Sequence, residues 1–160
     1  MKRTPPTTNP LHPKNLLRDL LDRAYNKISW HGANFTSTLR GVDAPTAARR
    51  IASRKTIWEQ ALHAAYWKHR VINKLAGKQK FARKGSNWPL MPNPPTEEAW
   101  RNDLAFLHQT HQRLRAAVKS YDLTHIDDKT LRMIHGVAFH DIYHAAQIKL
   151  LRRLLGDTAE

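Results

Sequence analysis

The chain has 160 residues, 41% hydrophobic and 25% charged, a composition that suits one ordinary domain with its own core and excludes a disordered chain. No apolar run nears the ~20 residues that cross a bilayer, and the basic start MKRTPPTTNPLHP lacks an apolar stretch behind it, so no membrane span or export is expected and the location reads as cytoplasmic. The absence of cysteine excludes disulfides, thiolate ligands and a protein thiol nucleophile, while 27 Lys plus Arg against 13 Asp plus Glu give +14, a charge that attracts polyanions.

Residues 1–13 hold four of the nine prolines and three threonines, which favours an extended tail and sets the folded domain at residues 14–156. From Pro13 onward Leu16, Leu17, Leu20, Leu21, Ala24 and Ile28 recur at three- and four-residue intervals, the mark of one apolar helix face. The next stretch, SWHGANFTSTLRGVDAPTAARR, breaks that pattern with glycine and proline and reads as a structured connection with a short helix over Ala44 to Ile51.

Thr56 stands three residues before Glu59, the capping-box spacing, and Gly77 supplies a stop. Between them a second long helix is expected to bury Ile57, Ala61, Leu62, Ala65, Val71, Ile72 and Leu75. Residues 78–95 include Gly85, Pro89, Pro92, Pro94 and Pro95 and read as a long surface loop. Thr96, with Glu97 and Glu98 behind it, opens a third long helix to about Ser120, with Trp100, Leu104, Leu107, Leu114 and Val118 inward. Asp127 and Asp128 open the fourth, and Gly156 closes it after Leu131, Ile134, Val137, Ala138, Ile148, Leu151 and Leu155. No strand alternation or repeat competes, so the fold class is all-α, a four-helix bundle with long connections after its first and second helices.

Ten histidines stand in the chain. His12 falls in the tail, and His69, His108, His111, His125 and His135 suit solvated faces as well as any other place. His140 and His144 differ, because a spacing of four projects both rings from one face of the fourth helix, about one turn apart. That face also carries Met133, Val137, Ile148, Leu151 and Leu155, so both imidazoles point inward and need partners. A shared metal ion would satisfy them; so would water or other side chains at one end of the bundle. His63, mid-way along the second helix, completes a ligand set only if the second and fourth helices are neighbours.

The segments TIWEQALHAAYWKHRVINKLAG and GVAFHDIYHAAQIKLLRRLL, in that order, resemble the DinB-like (YfiT-like) metalloenzyme family, as does the WHG at Trp30 to Gly32. The resemblance runs from about Leu16 to Leu155. It implies a four-helix bundle with a divalent metal, nickel or zinc, held by one histidine of the second helix and an HxxxH of the fourth; by position these are His63, His140 and His144. It also implies that these helices are neighbours, that a homodimer forms, and that the function is that of a metal-dependent transferase or hydrolase acting with a small-molecule substrate or low-molecular-weight thiol. Three imidazoles without a carboxylate leave coordination positions open, as in catalytic sites.

Other residues have plainer readings beside functional ones. Glu59 lies one turn before His63, yet the capping box explains it. Asp141 and Tyr143 flank the histidines but point about 100° or more away from them. Gly136 inside the fourth helix suggests either close packing or room near the site. Between Gln60 and Thr96 there is no acid, while Lys68, Arg70, Lys74, Lys78, Lys80, Arg83 and Lys84 all fall there, interleaved with Phe81 and Trp88. This motivates the alternative function, a non-enzymatic basic protein binding nucleic acid or another polyanion.

Overall fold

The computed structural model describes residues 12–157, and all its regular elements are helices: α1 Pro13–Tyr25, α2 Phe35–Leu39, α3 Ala44–Ala48, α4 Ile57–Ala76, α5 Glu97–Ser120 and α6 Asp128–Leu154. Of the expected tail, residues 1–13, only His12 and Pro13 lie among the described residues: Pro13 is already the first residue of α1, and His12 caps that helix by accepting the Lys14 amide at 3.3 Å. None of the described helices is long and apolar enough to cross a membrane.

Helix starts follow the side chains that satisfy their free amides. At α4 the box closes both ways: the Glu59 amide donates to Thr56 Oγ1 at 3.1 Å and the Thr56 amide to Glu59 Oε2 at 2.8 Å. Thr96 and Asp127 cap α5 and α6 without the return bond, accepting the Ala99 amide at 3.2 Å and the Thr130 amide at 2.6 Å. Gly77 leaves α4 with φ +91°, a conformation that side chains other than glycine rarely adopt. The connection after α1 holds one helix more than expected, α2, capped by Asn34 Oδ1 accepting from the Ser37 amide at 2.9 Å; α3 stops at Ala48 rather than Ile51.

Two apolar clusters make the core. One gathers Phe35, Ile57, Trp58, Leu62, Trp100, Leu107, Ile148 and Leu151; the other gathers Leu17, Leu21, Val71, Ile72, Leu114, Val118, Ile134 and Val137. The early part of α4 and α5 lies in the first cluster and the late part in the second, whereas α6 runs the opposite way. Thus α4 and α5 are parallel to each other, and α6 is antiparallel to both. Trp58 and Trp100 meet with ring centroids 5.0 Å apart, and each buried indole N–H finds an acceptor, Asp103 Oδ2 at 2.8 Å and the Val42 carbonyl at 2.7 Å. Two residues expected inside lie outside: Leu16 is 51% exposed and Ile28, beyond the end of α1, is 91% exposed.

The direction of α5 dictates the loop. Parallel neighbours require a connection that travels the whole length of α4, about 30 Å for its 20 residues. The loop does so along the α4 surface. The Gln79 carbonyl meets His69 Nε2 at 2.9 Å, the Phe81 ring lies 5.4 Å from Tyr66, and Asn87 and Trp88 reach His63. The proline-rich segment is therefore a strap that passes over His63 on its way to the start of α5.

Candidate metal centre

Between the apolar clusters, α4 and α6 bury a polar layer: Gln60, His63 and Lys68 from one, Asp141 and His144 from the other. Here His63 Nε2 lies 3.0 Å from His140 Nε2, which lies 3.0 Å from His144 Nε2. Among the described residues His63, His140 and His144 form the one group of three or more potential ligands close enough to hold an ion, and no carboxylate belongs to it. Nitrogens bound to one ion at ~2.0–2.1 Å sit about 2.8–3.0 Å apart on an octahedral face and about 3.3–3.4 Å apart on a tetrahedral one, so the spacing suits ligation.

The outer nitrogens decide the protonation. His63 Nδ1 faces the Asn87 carbonyl at 2.5 Å, and His144 Nδ1 faces Gln60 Oε1; both oxygens only accept, so both Nδ1 atoms carry the hydrogen. Each Nε2 is then a lone pair aimed at the centre. His140 has one proton for two nitrogens: on Nε2 it can serve only one of two facing lone pairs well, and on Nδ1, buried without a partner, it leaves three lone pairs converging. A cation at the centre resolves either arrangement, which is the fit of these residues to a divalent metal.

A proton is a poor substitute. Burial first, then the charges that His144 and His63 would carry, pushes the His140 pKa down to about 3; burial, then His63 and Lys68, brings His144 to about 4. Burial also lowers His63, against the opposing pull of the Asn87 carbonyl. The group is neutral near pH 7, the form in which imidazole binds metals.

Aromatic rings frame the group. Trp88 stacks on His63 at 3.8 Å and 9°, under Lys55 Nζ 5.1 Å from its ring, and Trp67 ties Asn87 in place through Nε1–H to Oδ1 at 2.8 Å. Tyr143 meets His144 edge-on at 5.0 Å and remains 59% exposed, so it sits at the rim. Asp141 points away into the core and pairs with Lys68. Glu59 is engaged by its own cap, by Arg50 at 2.7 Å and by Lys55 at 3.2 Å, with no part in the group. Gly136 is exposed and a Cβ there would meet nothing within 4 Å, so neither suggested reason for it is visible within the described chain.

Sequence reasoning missed Gln60, Asn87 and Trp88. Gln60 had a signal, since it precedes His63 by one turn on a buried face. Its part is to fix the His144 tautomer, and outer partners of this kind typically change metal affinity 10–100-fold. Gln60→Leu, similar in size but unable to accept, is expected to weaken nickel or zinc binding by about that factor, measured by competition with a chelator of known affinity. Wild-type affinity in this variant would remove Gln60 from the site.

The supposed basic surface is smaller than the sequence implied. Lys68 is fully buried, Lys74 lies 3.4 Å from Asp127, and Arg83 pairs with Asp103 at 2.7 Å. Phe81 packs on Tyr66, His69 and Phe106, and Trp88 on His63, so these rings serve the strap. His69 and His111, given no special place by the pattern, are buried as well. No protein-family model, curated protein or solved structure matches the chain.

Proposed function

We propose that this chain is a four-helix bundle of the DinB-like kind whose His63, His140 and His144 hold a divalent metal, nickel or zinc, and that it acts as a metal-dependent enzyme of the thiol-dependent transferase or hydrolase type. The observation that carries this reading is the convergence of three Nε2 atoms, two of them fixed as lone pairs by acceptors on Nδ1. Imidazole ligands suit both metals, and a metal with open positions supplies Lewis acidity to a bound oxygen or sulfur atom.

The chain's own groups do the rest. Gln60 and the Asn87 carbonyl orient two rings, Trp88 covers one face of His63, and the rim of Trp67 and Tyr143 offers apolar contact to a small molecule, which a thiol cosubstrate would accompany. The test is metal analysis of protein made without a histidine tag. About one ion per chain, lost in His144→Ala, supports the reading; metal-free protein that shifts DNA or RNA in a salt-dependent manner supports the polyanion-binding alternative instead.

A further inference from the structure

Lys68 and Asp141 form an ion pair with both side chains essentially inaccessible, at 0% and 1% exposure. Around Lys68 Nζ lie the rings of Tyr25 at 5.0 Å and Phe35 at 5.9 Å, and Asp141 Oδ1 is buried with no partner. Such a pair is a poor device for stability: taking two charges out of water costs more than an incompletely bonded pair returns, and a well-packed apolar pair does as well or better. What it does provide is discrimination. Lys68 is on α4, five residues after His63, and Asp141 is on α6, between His140 and His144. A slide of α6 past α4 by one turn, about 5.4 Å, would leave two buried charges unpaired. The same slide would pull His63 Nε2 away from His140 Nε2, now 3.0 Å from it.

We propose that Lys68 and Asp141 are positioning residues that lock the register of α4 against α6, so that His63 is presented to His140 and His144. The proposal rests on reading those histidines as a metal site, and it predicts that geometry and stability separate. In the Lys68→Met/Asp141→Leu variant, volume is roughly kept and the charges are gone. Its metal-free thermal midpoint is expected to equal or exceed that of the wild type, while Co2+ binding, followed by the visible d–d absorption, weakens 10-fold or more with an altered spectrum. In the metal-free proteins, histidine 15N shifts are expected to show His63 and His144 as single Nδ1–H tautomers in the wild type and as mixtures in the variant.

Wild-type cobalt affinity, spectrum and tautomers in the double variant would overturn the proposal. If the wild type takes up no cobalt, the metal reading fails, and the tautomer measurement still decides whether the pair sets the register. If the double variant does not fold, Asp141→Asn, isosteric and able to accept from Lys68, gives the same two measurements. A weaker loss in the same direction supports the proposal, and wild-type values overturn it.

Discussion

His63→Ala is expected to abolish the stabilisation that nickel or zinc confers on the wild type. An ion bound only by the folded chain at ~1,000 times its Kd adds about 4 kcal/mol, which for a domain of this size raises the thermal midpoint by roughly 8–16 °C. His63 is the decisive ligand to remove because it alone comes from α4. His140 and His144, four apart on one helix, could by themselves capture a stray ion weakly, as any exposed pair does. Since loss of an outer partner already costs about 10–100-fold in affinity, loss of a ligand must cost more than that. The metal-free variant should differ from the wild type by only ~1–3 kcal/mol, from lost contact with Trp88 at 3.8 Å and the unmet Asn87 carbonyl. Thermal scans of both proteins with and without metal, after chelator treatment, make the measurement; a midpoint shift in His63→Ala equal to that of the wild type means that three imidazoles do not act together.

What the sequence disclosed divides along a physical line. Helix starts and stops are local events, and Thr56 with Glu59, Thr96, Asp127, Gly77 and Gly156 mark them without reference to the rest of the chain. A five-residue helix such as α2 is too short to show a period, although its cap Asn34 stands in plain view. Ile28 continues the periodicity of α1, but the helix has already ended at Tyr25, and no pattern of apolar residues records that. Facing relations between distant segments are a different matter. Lys68 looks like one of a run of surface cations until Asp141, 73 residues away, is seen to neutralise it. Likewise, nothing in residues 78–95 says that α5 must run parallel to α4, yet that direction is what carries Asn87 and Trp88 back to His63.

Acid should weaken the metal-free fold well above the range in which carboxylates titrate, and His111 is the main cause. Its ring is fully buried, lies 3.9 Å from the stacked Tyr25 ring, and leaves Nδ1 without a partner. Burial first, then the positive charges of Lys68 and Arg115, holds its pKa down to about 2. The Asp22 carboxylate is 3.3 Å from Nε2, but its charge is already met by Arg115 at 2.7 Å and Lys27 at 3.3 Å. The unfolded chain takes this proton near pH 6.5 and the folded chain does not, so between those values the unfolded state binds more protons. Stability is therefore full above pH 6.5 and falls as pH falls, by about 1.36 kcal/mol per unit, or roughly 2 kcal/mol by pH 5.0. His140, at about 3, and His144, at about 4, act in the same direction. Urea unfolding in the presence of chelator at pH 7.5 and 5.0 is expected to show at least this loss, a large share of the ~5–15 kcal/mol a domain possesses. His111→Phe, which keeps a ring against Tyr25 and cannot titrate, should lose roughly 2 kcal/mol less over the same interval. Equal losses in the two proteins would mean that the folded chain accepts the proton at His111, with Asp22 as its counter-ion.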